Sequence, residues 1–251
     1  MTLLHAPTGE FSKKTTIMFS DFVSSTTPFG ALLSTTVAGT STLSISNSSS
    51  NEFGAATIEV PASSTAPLRA RAALMLCRPL TGGGTIVDRS FRLDSFEESS
   101  FSARIKTDVS ASGLYCGVGF TASHSTQDTL AEQAIGFFAR GSDTTWSAYI
   151  IVDSATIFSF NTRIPKTEYS ILTTFVRRDL RRTQENWLYV DFFADGQQVA
   201  QWNGSVGAMF EGSKMVPGAE IRDKNTGGSG VAGQSFTVDF MEFYGKHVER
   251  T

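Results

Sequence analysis

The chain has 251 residues, a length that a single β-sandwich domain commonly fills. Its formal net charge is −3 and only 18% of its residues are charged. It therefore lacks the basic surplus that neutralises phosphates, which argues against nucleic acid as a partner. The 20 phenylalanines and 22 glycines, together with many serines and threonines, favour strands joined by turns.

No segment has the character of a targeting or membrane sequence. The opening MTLLHAPTGEFSKK contains no apolar run of signal-peptide length. No stretch approaches the ~18 apolar residues of a membrane span. We therefore expect a protein that is made in a cytoplasm, without a signal peptide and without a membrane partner.

The two cysteines predict buried thiols rather than a disulfide scaffold. Cys77 and Cys116 each lie inside an apolar run, AALMLC and LYCGVGF. A free cysteine in such a run behaves as a small apolar core residue. A bridge between the two would require neighbouring strands, which the sequence leaves open.

The first hundred residues contain weak strand signals. Serine and threonine dominate residues 34–50, but Leu43 and Ile45 alternate with polar residues as in an edge strand. Three further short strands are predicted, at residues 57–60, 70–77 and 90–93. The segment before Phe19 is predicted to be an arm that precedes the folded domain.

Strand patterns become regular from Phe101 onward. Phe101, Ala103 and Ile105 alternate with polar residues, which is the pattern of a strand with one solvent face. Asp195-Gly196 is the strongest hairpin signal, because such a pair readily forms a tight two-residue turn. The other predicted strands cover residues 114–120, 134–139, 146–152, 157–161, 169–176, 187–193, 198–202 and 236–243.

These patterns predict an all-β protein, a two-sheet antiparallel β-sandwich. The best helical candidates are short segments near residues 129–133 and 207–212, and neither has a convincing 3.6-residue period. We therefore place an N-terminal arm at residues 1–18 and a single sandwich domain at residues 19–251.

Six segments carry a family resemblance. They are FSDF (19–22), FSARIKTDV (101–109), LYCGVGF (114–120), AIGFFARGSDTTWSAYI (134–150), WLYVDFFADGQQVAQW (187–202) and FTVDFMEFYG (236–245). In this order they resemble the concanavalin A-like lectin/glucanase jelly roll, in the version found in bacteriophage virion proteins. The resemblance covers residues 91–244, and such a fold hosts many unrelated functions.

The resemblance implies a virion structural protein, made in a host cytoplasm, that needs no cofactor. A capsid decoration or cement protein, or another surface-exposed particle protein, would bind copies of itself and other virion proteins. Arg177, Arg178, Arg181 and Arg182 form the one dense cationic run and are candidate subunit contacts. The alternative interpretation of this run is a solvated loop between strands.

A second hypothesis is a carbohydrate-binding module of the receptor-recognition type. Sugars stack on exposed aromatic rings in such sandwiches. The candidate stacking residues are Trp146, Tyr149 and Trp202, and Trp187 is a further candidate. Most of these rings are expected in the core, because aromatic residues supply much of a sandwich's buried area.

A third hypothesis is a glycosidase or a polysaccharide lyase of the same fold. Glycosidases use two carboxylates, which the sandwich glucanases place on one strand as Glu-Xaa-Asp-Xaa-Xaa-Glu. Asp239 and Glu242 come nearest, but the first acid is missing and strand alternation predicts that they point to opposite faces. We therefore predict that the protein is not an enzyme.

Neither a lyase site nor a metal site is predicted. The three histidines, His5, His124 and His247, fall outside the predicted strands, where a lyase would need them on a sheet face. Asp143 and Asp153 flank the strand of Trp146, but they are interpreted as turn residues rather than calcium ligands.

Overall fold

Every regular element in the described part of the chain is a β-strand. The computed structural model describes residues 15–20, 33–38, 42–46, 55–60, 69–74, 91–92, 96–110, 114–122, 133–152, 155–181, 186–206, 214–223 and 234–247. These residues form sixteen strands in two sheets of eight.

The first sheet follows the predicted strands of the second half of the chain closely. Its order is β14 (Gln197–Ser205), β13 (Trp187–Ala194), β12 (Ser170–Arg178), β7 (Phe96–Thr107), β16 (Gln234–His247), β4 (Ala55–Val60) and β3 (Thr42–Ser46). The eighth strand, β1 (Thr15–Ser20), pairs with β16 along Met241–Lys246. The predicted end of the arm, at residue 18, falls inside β1.

The second sheet carries the remaining eight strands. Its order is β11 (Ala155–Pro165), β10 (Thr145–Val152), β9 (Ala134–Arg140), β8 (Leu114–Ala122), β15 (Lys214–Asp223), β5 (Arg69–Leu74) and β2 (Leu33–Ala38), and β6 (Phe91–Arg92) also pairs with β15. Every pairing described is antiparallel, which confirms the predicted sandwich.

The core lies between the inner faces of the two sheets and is rich in aromatic rings. The largest fully buried side chains are those of Trp146, Phe101, Phe120, Phe137, Phe192, Phe236, Phe243 and Ile105. Rings from the two sheets meet edge to face, as Phe137 and Phe192 do with centroids 5.6 Å apart. We call the opposite side of each sheet, which points away from this core, its outer face.

The serine- and threonine-rich tract contributes the edges of the sandwich. β3 contains Leu43 and Ile45 and ends the first sheet, which confirms the predicted edge strand. β2 comes from the same tract and ends the second sheet. Residues 129–132 of the helical candidate at 129–133 lie outside the described residues, as do the whole candidate at 207–212, Cys77, His5 and His124.

A bulge in β16 places Asp239 and Glu242 on the same face of the sheet, whereas strand alternation predicted opposite faces. Val238 and Met241 are both fully buried although they are three residues apart, because the pairing with β7 shifts by one residue between them. Asp239 therefore lies on the outer face, where it forms an ion pair with Arg104. Glu242 is exposed on the same outer face, so the prediction of opposite faces was wrong.

β15 was not predicted from the sequence. Pro217 interrupts its pattern, and proline is rare in central strands because it has no N–H to donate. In the sheet, Pro217 lies opposite Phe120 of β8 on one side. On its other side the pairing with β6 ends at Met215 and that with β5 begins at Gly218, so the proline occupies the gap between two short partners.

A tyrosine–carboxylate cluster on the outer face of the second sheet

Small residues form a row across the outer face of the second sheet. Tyr149 of β10 lies opposite Gly136 of β9, which lies opposite Gly119 of β8, which lies opposite Gly218 of β15. A Cβ at Gly136 would come within 2.1 Å of the Val118 carbonyl oxygen. The backbones of β8 and β9 thus approach so closely that only glycine fits.

The Tyr149 side chain extends from β10 toward β8 across the glycine positions of β9 and β8. Its hydroxyl oxygen lies 3.4 Å from the position that a Cβ at Gly117 would occupy. The next nearest atoms to that position are Cγ of Glu220, at 3.8 Å, and Cε2 of Tyr115, at 3.9 Å. Three polar side chains from three strands therefore converge over one glycine, and we call Tyr115, Tyr149 and Glu220 the tyrosine–carboxylate cluster.

The cluster is held firmly although it lies on an outer face. Glu220 is 1% exposed and Tyr149 is 3% exposed. Tyr149 packs with Ala134, Ile151 and Phe138, and the Phe138 ring meets it edge to face at 4.9 Å between centroids. Side chains locked in this way hold their polar atoms in fixed positions, as a preformed binding site requires.

Two half-buried rings and one exposed cation form the accessible part of this region. Tyr115 and Phe138 are half-buried, and Arg140, opposite Tyr115, is exposed. The Arg140 guanidinium lies 5.5 Å from the centroid of the Phe138 ring, so the cation and the ring form one surface. Flat rings of this kind offer a stacking face, and the guanidinium offers hydrogen-bond donors.

The candidate stacking residues occupy different environments. Trp146 points into the core and is fully buried, so its ring is not available to a ligand. Trp202 also faces inward, half-buried, with its ring against Gly204 near the edge of the first sheet. Trp187 is half-buried on the outer face of that sheet. Tyr149 alone of the predicted set belongs to the tyrosine–carboxylate cluster.

The arginine run spans the end of β12 and the turn after it. Arg177 is exposed on the outer face of the first sheet, with its guanidinium 5.0 Å from the Tyr189 ring centroid. Arg178 ends the strand, and Arg181 is exposed in the following turn. Arg182 lies outside the described residues. Subunit contacts at these positions stay a prediction.

The acids of the first sheet that sequence analysis considered have structural partners. The Asp239 carboxylate lies 2.5 Å from the Arg104 guanidinium. The Asp191 carboxylate accepts a hydrogen bond from the Gln198 amide at 2.8 Å. The Asp195 carboxylate accepts one from the Ile171 backbone N–H. These carboxylates stabilise strands and turns rather than gathering in one site.

The described residues contain no group of three metal-binding side chains. The Asp143 carboxylate accepts a hydrogen bond from the Arg140 backbone N–H, which confirms its interpretation as a turn residue. Asp153 lies outside the described residues. In the same part of the chain, no helix is long and apolar enough to cross a membrane.

Sequence reasoning missed Glu220, and with it the cluster, because it missed β15. A signal was present in KMVPGAEIRD: Met215, Ala219 and Ile221 alternate with polar or small residues and are all fully buried. Pro217 concealed this alternation. Tyr115 was read only as part of an apolar run, since its neighbours across the sheet are distant in sequence.

Comparison of the fold with solved structures is informative where sequence comparison is not. No family model matches the sequence, and no curated protein matches it. A protein of unknown function from Shewanella oneidensis has a TM-score of 0.60 at 15% identity, with 95% of this chain and 90% of that chain covered.

Two further neighbours have known names. A prokaryotic β-1,3-1,4-glucanase (lichenase) from a mouse hindgut metagenome has a TM-score of 0.54 at 11% identity, covering 91% of this chain and 98% of that one. Peanut lectin has a TM-score of 0.53 at 10% identity, covering 94% and 99%. The chain has the lectin/glucanase jelly-roll fold. These neighbours do not link it to bacteriophage virions.

Proposed function

We propose that this lectin/glucanase jelly-roll protein binds carbohydrate on the outer face of its second sheet. The observation that carries the proposal is the surface formed by the half-buried rings of Phe138 and Tyr115 and the exposed Arg140, which adjoins the buried Tyr149 and Glu220. Sugar rings stack on flat aromatic faces, and their hydroxyls accept hydrogen bonds from guanidinium groups. The named neighbours, a lectin and a glucanase, support a ligand of this class.

The same surface supports binding without turnover. Glycoside hydrolysis uses two carboxylates about 5–10 Å apart. Glu220 is the one acidic residue among the described strand positions of this outer face. The proposed role of Glu220 is therefore to position Tyr115 and Tyr149. A virion structural role and self-association stay predictions from the sequence resemblance.

The decisive experiment compares two phenylalanine variants on opposite outer faces. Binding of the full chain to a panel of neutral and acidic oligosaccharides is measured by isothermal titration calorimetry. Phe138→Ala removes the proposed stacking face and is expected to weaken binding about tenfold or more. Phe193→Ala, the control, removes a half-buried ring from the outer face of the first sheet and is expected to leave binding unchanged.

Because Phe138 also packs against Tyr149, Phe138→Leu provides a second variant. Leucine keeps apolar packing but has no flat face, so binding should fall while the thermal midpoint stays near that of the wild type. Failure of every oligosaccharide to bind would overturn the proposal. It would also be overturned if Phe138→Leu bound normally and Phe193→Ala did not.

A further inference from the structure

The outer face of the second sheet continues from Phe138 toward β11, which ends the described strand order on this side. In an antiparallel sheet, directly opposed residues lie on the same face. Phe138 of β9 lies opposite Ser147 of β10, and Ser147 lies opposite Asn161 of β11. We call these three residues the Asn161 row. Because the row spans two strand spacings, the Cα atoms of Phe138 and Asn161 are about 10 Å apart.

The Asn161 row is accessible along its whole length, whereas Tyr149 and Glu220 of the neighbouring cluster are buried. Asn161 is exposed, and Phe138 and Ser147 are half-buried. None of the three side chains is charged, so a ligand that covers them does not desolvate an ion of the row. A ligand that stacks on Phe138 can therefore extend over Ser147 to Asn161 without crossing a buried position.

The Asn161 side-chain amide is held in one orientation by two hydrogen bonds. Its Oδ1 atom accepts one from the Thr145 hydroxyl at 3.1 Å and one from the Arg163 backbone N–H at 2.8 Å. A carbonyl oxygen has two lone pairs, so these two bonds occupy both. The Nδ2 group keeps two N–H donors, and it makes no hydrogen bond to another described residue. Asn161 therefore presents hydrogen-bond donors from a fixed position.

A bulge in β11 places the Arg163 N–H beside Asn161. The pairing with β10 shifts between the pairs Ser147–Asn161 and Thr145–Pro165. Within the shifted segment Arg163 has a φ of 63°, in the left-handed region that residues other than glycine seldom adopt. Bulges next to functional sites re-aim side chains. Here the bulge supplies the donor that orients the Asn161 amide.

We propose that Asn161 determines the specificity of the carbohydrate site, by donating hydrogen bonds to a second sugar ring while Phe138 stacks on the first. The ligand is an oligosaccharide of at least two rings that lies across β9, β10 and β11. This inference rests on the proposed function and names the length and direction of its ligand. The hydroxyl and acetamido oxygens of a sugar accept such hydrogen bonds, and the Ser147 hydroxyl lies between the two contacts.

The length of the Asn161 row sets the number of rings. With bonds of about 1.5 Å, one sugar ring with its hydroxyls spans about 6 Å. A single ring stacked on Phe138 therefore covers only a part of the row, and the adjacent ring of the same chain lies over Ser147 and Asn161. Each contact that a longer ligand adds contributes to its affinity over that of one ring.

The first test compares matched disaccharides and monosaccharides by NMR titration of the full chain. The probes are cellobiose with methyl β-glucoside, chitobiose with N-acetylglucosamine, and digalacturonate with galacturonate. At least one disaccharide is expected to bind about fivefold or more tightly than its monosaccharide, because hydrogen bonds to the second ring are added.

The second test uses Asn161→Asp, which is nearly isosteric. Aspartate keeps the oxygen that accepts hydrogen bonds from Thr145 and Arg163, and replaces the donating Nδ2 group by a second oxygen. Binding of the disaccharide should fall about fivefold, binding of the monosaccharide should not change, and the thermal midpoint should stay near that of the wild type. Asn203→Asp is the control, because it makes the same change at an exposed position on the outer face of the first sheet.

The outcomes separate this inference from the proposed function. If Phe138→Leu weakens the binding of every sugar while Asn161→Asp binds the disaccharide normally, the carbohydrate site stands and the role of Asn161 is overturned. Equal affinities for each disaccharide and its monosaccharide would overturn the two-ring ligand. Equal losses in Asn203→Asp and Asn161→Asp would show an effect of charge alone and also overturn it. If no sugar binds at all, both proposals fail.

Discussion

The Cys116 thiol shows how a position in the core changes the chemistry of a side chain. Cys116 is fully buried on the inner face of β8 and is a free thiol, as predicted. Burial raises the pKa of this thiol far above its ordinary value of 9.0, because the apolar core does not solvate a thiolate; a hydrogen bond with Thr107 offsets only a part of this.

This raised pKa predicts a stability change at alkaline pH. Below pH 9.0 the thiol is protonated in both the folded and the unfolded chain, so its contribution to stability is fully present. Above pH 9.0 only the unfolded chain loses the proton, so the free energy of unfolding falls by up to about 1.4 kcal/mol per pH unit. Urea unfolding between pH 8 and pH 10.5 measures this slope.

Cys116→Ala is the control for that slope, because it removes the titrating group and leaves all others in place. The difference in unfolding free energy between wild type and variant should be constant below pH 9.0 and should decrease above it. A difference that stays constant across the whole range would show that the thiol ionises normally in the folded protein.

The Lys166 ammonium links the two sheets by hydrogen bonds at one end of the sandwich. It is 4% exposed and donates hydrogen bonds to the carbonyl oxygens of Val109, Arg140 and Gly141 at 2.5, 2.7 and 3.2 Å. Val109 follows β7 of the first sheet, while Arg140 ends β9 and Gly141 begins the β9–β10 turn of the second sheet, so one side chain joins both sheets. Burial lowers the pKa of this ammonium group.

Because the backbones of β8 and β9 approach closely, we predict that a side chain at Gly136 destabilises the fold. Gly136→Ala would place a Cβ 2.1 Å from the Val118 carbonyl oxygen, and the strands would have to move apart. We expect a loss of about 2–4 kcal/mol in the free energy of unfolding. Chemical denaturation of the purified variant measures this loss.

Gly196→Ala is the matched control for Gly136→Ala. Gly196 has a φ of 78° in the turn after β13, and an added Cβ would meet no atom within 4 Å. Its cost should therefore be the backbone term alone, about 1 kcal/mol. Equal losses in the two variants would contradict the close approach of the two strands.

The elements differ in how well the sequence predicted them. β13 and β14 were predicted because the aromatic run of β13 leads into Asp195-Gly196, whose positive φ values of 50° and 78° form the expected tight turn into β14. β15 was missed because its proline is tolerated only beside a gap in pairing, and a gap depends on strands that are distant in sequence. The bulge at Asp239 was missed for the same reason.

In the whole molecule, β1 makes residues 15–20 part of the first sheet, because it pairs with β16. Deletion of residues 1–20 would remove β1 and expose the backbone edge of β16 from Met241 to Lys246. Unpaired edges template association between chains. We expect a lower thermal midpoint and the appearance of oligomers in size-exclusion chromatography.

Deletion of residues 1–14 is the control, because it keeps β1 intact. Its thermal midpoint should be higher than that of the longer deletion, because the pairing of β1 with β16 is kept. Equal thermal midpoints for the two deletions would contradict this account of the edge.

Residue alternation and turn residues are local properties, so they were enough to predict the all-β class, the two-sheet sandwich and most strands of the second half. Contacts between residues of different strands depend instead on how the strands pair. Tyr115, Tyr149 and Glu220 lie far apart in the chain, and only the strand order β10-β9-β8-β15 brings them over Gly117. Cross-strand neighbours are set by pairing over long sequence separations, which no local pattern records.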